Sequence, residues 1–235
     1  MSRLSVEARR RLAPVSLTVC PSLANPAWRW SGAVRLFEDR LRVSVDPVRV
    51  TRKLSARVLP AVRDSFLVDG LDRLPMDPVA GLYTYRDMED IARHGADWRA
   101  TRLGQWLKAA IEAGRPPLVR GARVTDEAGI EAYYRVYLSM FESMRAIGYR
   151  YEGDDRMCFG IGAEGDVILI RRGTHRLAAA QILAVQNVEG RVTHIDRAFA
   201  ELAVRDFPGL RVPEVIAHAI SPSVVRVMAY DKSPV

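Results

Sequence analysis

A chain of 235 residues, 49% of them hydrophobic, can bury a sizeable core, and no apolar run approaches the roughly 18 residues that a membrane helix needs. Lys and Arg number 35 against 28 Asp and Glu, a net +7, and all the basic residues except Lys53, Lys108 and Lys232 are arginine. That excess suits phosphate-bearing partners through forked guanidinium bonds, but a genome rich in G and C yields the same bias, so charge alone decides nothing.

The first stretch, "MSRLSVEARRRLAPVSLTVCPSL", puts basic residues ahead of an apolar run. Pro14 breaks that run and no small-residue cleavage site follows, so it does not read as an export signal. Cys20 and Cys158 stand far apart without CxxC spacing, which argues against a disulfide framework or a zinc site and makes a reducing cytoplasm the expected setting. Prolines punctuate the chain up to Pro60. Within it "RLRVSVDPVRVTRKL", residues 40–54, alternates apolar and polar positions and reads as a strand interrupted at Asp46-Pro47.

Residues 71–82 are rich in Pro and Gly and read as a loop. From Tyr85 to Gly114 two helical pieces are expected, parted near Gly95, the second marked by Trp98, Leu103, Trp106, Leu107 and Ile111 and stopped by Gly114 and Pro116-Pro117. After the strand-like "PLVRGARV", Asp126 can cap a long helix that ends at Gly148. Ile130, Tyr133, Tyr134, Tyr137, Met140, Phe141 and Met144 form its apolar face and read as core. "RMCFGIGAEGDVILIRR" is a predicted hairpin turning at residues 163–166. A helix from Thr174 to about Val185, a strand in "GRVTHID", a helix in "RAFAELAVRD" and a last strand in "VPEVIAHAI" complete the chain.

The chemistry gathers in "RRGTHRLAAAQ", where the predicted strand becomes a helix. Gly173 permits a left-handed turn, Thr174 can cap the helix, and the free amides and dipole of a helix start favour an anion. The dipole contributes only about 0.3–1 kcal/mol, so His175, Arg176 and one of Arg171 and Arg172 must supply the rest. The plainer reading of the same turn has the arginines facing water and the histidine capping its own helix. Neither a Walker A loop nor a GxGxxG pattern is present.

Gly173, His175, Arg176 and Ala179, preceded by the hairpin "CFGIGAEGDVILI" and by "FESMRAIGYRYEGDD", resemble the GxHR region of the ParB/sulfiredoxin-like superfamily. The likeness spans about 65 residues, from Glu142 to near Arg205. It implies an α+β fold, a small mixed sheet with packed helices in a core domain at 120–235, with residues 1–119 as an N-terminal extension. It also implies ATP or another nucleoside phosphate with Mg²⁺, the phosphates lying over the turn. Arg172, Gly173, Thr174, His175 and Arg176 would bind them, with Gly173 leaving room and His175 and Arg176 offsetting the charge of transfer. Glu142 joins His175 and Arg176 as a catalytic candidate, while Glu152, Asp154 and Asp155 lie where carboxylates would face the turn. The "EGDD" run reads equally as a solvated turn, and His194 and Asp196 as a structural pair.

The expected function is therefore a phosphotransferase or nucleotide hydrolase acting on a small molecule or protein, away from membranes. Two alternatives stand beside it: a nucleic-acid-associated protein, and an interaction module that has lost its nucleotide. Sulfiredoxins have a cysteine where this chain has Thr174, which sets sulfinic-acid chemistry aside. Arg172 replaces the aspartate usual before the motif glycine. No arginine box precedes the motif and no helix-turn-helix follows it.

Overall fold

A computed structural model describes residue 33 and residues 41–119, 122–150 and 156–206. Cys20, Glu152, Asp154, Asp155 and the strand expected in "VPEVIAHAI" lie outside the described residues.

The fold is α+β. Its strands are β1 (Arg42–Val45), β2 (Arg52–Leu54), β3 (Leu67–Val68), β4 (Met76–Pro78), a separate pair β5 (Leu118–Val119) and β6 (Ala122–Arg123), then β7 (Met157–Ile161), β8 (Val167–Arg171) and β9 (Val188–Asp196). The helices whose full range falls among the described residues are α1 (Leu59–Val62), α2 (Tyr83–His94), α3 (Arg102–Glu112), α4 (Glu127–Ile147), α5 (Thr174–Ile182) and α6 (Arg197–Asp206).

Seven strands form one mixed sheet in the order β1-β9-β7-β8-β2-β4, with β3 beside the second half of β9. β7 and β8 make the expected antiparallel hairpin, and β7 runs parallel to β9. The sheet takes β1 to β4 from before position 120 and β7 to β9 from after it, so the 119/120 division does not follow the architecture. The reason is in the pairing. β2 supplies the neighbour of β8, and β1 covers the outer edge of β9, leaving the hairpin and β9 flanked on both sides.

The expected break at Asp46-Pro47 is a single 3₁₀ turn, Pro47–Arg49, whose Asp46 carboxylate accepts the Val48 amide at 3.1 Å. Residues 71–82, read as a loop, contain two 3₁₀ turns and the edge strand β4. Pro78 is tolerated there because an edge strand leaves one row of amides without a ladder partner. The helix from Asp126 is as expected: its carboxylate accepts the Gly129 amide at 2.7 Å, and Gly148 ends it at φ 73 with its amide on Met144 O. Trp98 is buried, whereas Trp106 is an exposed residue of α3.

The two faces of the sheet differ. Phe159, Ile161, Val167, Leu169, Val192 and Ile195 point into the larger core, where α2, α4 and α5 pack. Ala178, Ala179 and Ala180 are fully buried there, so α5 lies close on the strands. Gln181 fixes it further by donating to Pro47 O and Val50 O at 2.7 and 3.0 Å. The opposite face carries a smaller cluster around Leu54, Val62, Val68, Leu71, Cys158, Ile168 and Ile170.

Candidate functional site

The strand-to-helix turn is built from two consecutive left-handed residues, Arg172 at φ 58 and Gly173 at φ 72. A β-carbon resists this region by about 1–2 kcal/mol, so the non-glycine Arg172 is a local strain that the surrounding structure must hold. A β-carbon on Gly173 would stand 2.4 Å from Met157 Cγ. The side expected to leave room for phosphates therefore admits the Met157 side chain instead. Gly173 is also the cap of α5, with no side-chain bond to the first turn, and Thr174 is the first helical residue rather than the cap.

α5 then starts with Thr174, His175 and Arg176 in its first turn, and its first internal bond runs from the Leu177 amide to Gly173 O at 2.8 Å. The three preceding amides have no partner within the helix, as at any helix start. His175 and Arg176 are half-buried and Arg172 is exposed. Arg171 departs from the group: its charge acts on His194, which belongs to the opposite face of the sheet.

The His175 ring packs on Tyr137 of α4, centroids 4.4 Å apart and planes tilted by 36°. The Tyr137 hydroxyl lies 3.2 Å from that of Tyr133, one turn earlier, and the two rings meet edge to face. Burial and this shared hydroxyl bond push the Tyr133 phenol up, with the charge of Asp87 on α2 adding to the shift. Asp87 itself is pushed up to about 6, first by burial and then by the neighbouring Asp90, while Arg102 pulls it down. A polar seam thus runs Asp87, Tyr133, Tyr137, His175 between α2, α4 and the start of α5.

Asp90 has a different fate. Burial raises its carboxyl, but forked bonds from Arg102 at 3.0 and 3.1 Å and the Arg102 amide at 2.9 Å outweigh that and hold it low. It stays a charged anchor, and Asp87 is the carboxyl left near neutrality. One turn from Asp87, the buried Thr84 hydroxyl has no hydrogen-bond partner.

Glu142 is exposed on α4. It follows Tyr137 by five residues, about 140° around the helix, so it is not brought to the His175 side. Among the described residues no group of three or more His, Cys, Asp or Glu side chains is placed to hold a metal ion. Of the other carboxylates expected to face the turn, Glu152, Asp154 and Asp155 lie outside the described residues.

His194 and Asp196 are structural. His194 is 1% exposed; its Nε2 donates to Val62 O at 3.1 Å and Nδ1 lies 2.8 Å from the Thr193 hydroxyl. Burial lowers its pKa to about 4. Asp196 accepts the Leu71 amide at 2.6 Å and the Ala198 amide at 2.8 Å, joining a 3₁₀ turn to α6.

Sequence reasoning missed Asp87, Tyr133 and Tyr137 as site residues because an amphipathic helix hides polar tips among its core positions. Only their four-residue spacing and their hydroxyls were visible. The described residues contain no helix long and apolar enough to cross a membrane. No protein-family model, curated protein or solved structure matches the chain.

Proposed function

We propose that the chain binds a nucleoside phosphate at the turn through residues 172–176 and acts on it as a phosphotransferase or nucleotide hydrolase of the ParB/sulfiredoxin-like kind. What supports this reading is that the His175 ring packs on Tyr137, whose hydroxyl meets that of Tyr133, and that Tyr133 feels the charge of Asp87, a carboxyl pushed up to about 6. A carboxyl near neutrality can accept and return a proton at working pH, the property a general base needs.

In this reading the phosphates face the first-turn amides of α5, and Arg176 forks onto their oxygens. Tyr137 fixes the plane of the His175 imidazole, which donates to a phosphate oxygen or to the leaving group. Asp87, whose charge acts on the Tyr133 hydroxyl, is the proposed acceptor for the proton of the attacking water or hydroxyl. Arg172, held in a left-handed conformation at the exposed corner, adds charge at the mouth.

Thermal shift with ATP, ADP and CTP tests the binding step. At least one nucleotide is expected to stabilise the chain beyond the same concentration of salt, and Arg176→Ala to abolish that gain without altering the circular dichroism. Unchanged stabilisation in Arg176→Ala rejects the site. No stabilisation of the unaltered chain by any of the three rejects the nucleotide and favours an interaction module.

A further inference from the structure

We propose that the other face of the sheet holds a second anion site, in which Arg156, Arg171 and Arg191 surround Cys158 and take a phosphoryl group. The placement follows from register. Cys158 on β7 lies opposite Arg171 on β8 and opposite Arg191 on β9. Arg156 is two residues before Cys158, and Arg42 on β1 lies opposite Arg191 in turn. Cys158 belongs to the smaller core cluster, on the side of the sheet away from α2, α4 and α5.

Like charges directly opposite one another on a sheet destabilise it. Arg156 Nη1, Arg171 Nε and Arg191 Nε are each buried with no hydrogen-bond partner. A guanidinium nitrogen withdrawn from water without an acceptor costs free energy comparable to a lost bond to a charged group. Three such atoms around one residue are an arrangement that lacks its counter-charge.

Among the described residues the nearby carboxylates do not supply it. Asp196 is committed to the Leu71 and Ala198 amides. Glu189, two residues before Arg191 on β9, is exposed and faces Ser44 on β1. His194, on the same face, is held neutral by burial and adds no positive charge.

Neighbouring strands lie about 4.8 Å apart, which puts the backbones of Arg171 and Arg191 roughly 10 Å from one another across β7. Two arginine side chains span that gap onto one small group above Cys158. A tetrahedral phosphate suits the position better than a carboxylate, because it offers more acceptor oxygens and up to two negative charges to three guanidinium forks. Among the described residues no aromatic side chain belongs to this cluster, and the proposal concerns the phosphoryl group alone.

The site stands apart from the turn, and its test is made in an Arg176→Ala chain so that the two separate. Inorganic phosphate is titrated against sodium chloride at matched ionic strength while the melting temperature is followed. A saturable rise of about 3–6 °C is expected at tenfold excess over the midpoint, and it disappears in Arg171→Gln/Arg191→Gln. A rise no larger than that from chloride overturns the proposal, as does one that survives the double substitution. Should the double variant not fold, alkylation of Cys158 in an Arg176→Ala/Cys20→Ser chain decides. Phosphate is expected to slow the reaction severalfold, and an unchanged rate overturns the site.

Discussion

His175 and His194 stand on opposite faces of one sheet and show how burial assigns a residue its role. His194 sits in the middle of the sheet with both ring nitrogens committed inside the protein, and desolvation keeps it neutral down to about pH 4. His175 stands where the backbone has just left the sheet, its ring face on Tyr137 and its edge at a half-buried helix start. The two residues are chemically identical, but one is committed inside the protein through both ring nitrogens and the other is the residue proposed to meet a ligand. The same contrast separates Asp90, held charged by its ion pair with Arg102, from Asp87 three residues earlier.

The sharpest break of this comparison is Asp87→Asn. If Asp87 is the proton acceptor for the turn, nucleotide turnover is expected to fall about 100-fold or more, while the nucleotide-induced thermal shift stays. Equal turnover in the variant removes Asp87 from the chemistry.

Acid stability comes next. The folded-state pKa of His194 lies below the ordinary histidine value of 6.5, at about 4. Its contribution is therefore present above pH 6.5 and is lost as pH falls toward 4, roughly 3 kcal/mol over the window. Asp87 has the opposite sign. Its folded pKa of about 6 exceeds the unfolded value, so its favourable contribution belongs to low pH and is lost as pH rises through 6. The two contributions nearly cancel in the unaltered chain, so urea unfolding between pH 4 and 7 is expected to show stability falling with acid in Asp87→Asn and rising with acid in His194→Gln. A His194→Gln profile parallel to that of the unaltered chain contradicts the structural role.

Arg176→Ala, with one charge-assisted partner removed, is expected to weaken nucleotide binding by about 10- to 100-fold, measured by calorimetry. Glu142→Gln, on the exposed side of α4, is expected to leave both affinity and turnover unchanged. Gly173→Ala closes the series: its left-handed backbone costs about 1–2 kcal/mol, and the new methyl must move Met157 as well. Denaturant midpoints are expected to fall accordingly, and an unchanged midpoint argues against the left-handed turn.

Much of the local structure was legible. Asp126 and Gly148 bound α4 because caps act within one turn of their own helix. Alternation exposed β1 and β2 because a strand with one buried face prints its period on the sequence, whereas β7 and β8, buried on both faces, were legible from the turn at residues 163–166. The turn at residues 172–174 was legible as a turn, yet its internal geometry was not: Thr174 is not the cap, and the Met157 side chain lies where a β-carbon on Gly173 would stand. β4 escaped notice because a three-residue edge strand containing Pro78 carries almost no periodic signal.

The sequence by itself determined the bounds of α4, the β7–β8 hairpin and the helix that follows it, and that charge collects at Arg171–Arg176, since caps, turns and amphipathic periods depend on neighbours a few residues away. Only the tertiary structure decided that β1 to β4 complete the sheet of β7 to β9, that Arg171 joins the face opposite His175, and that Asp87 rather than Glu142 connects to the turn. Those outcomes depend on strand pairing and helix packing between residues tens of positions apart. Desolvation, which sets the protonation of Asp87 and His194, exists only once those distant surfaces have closed on one another.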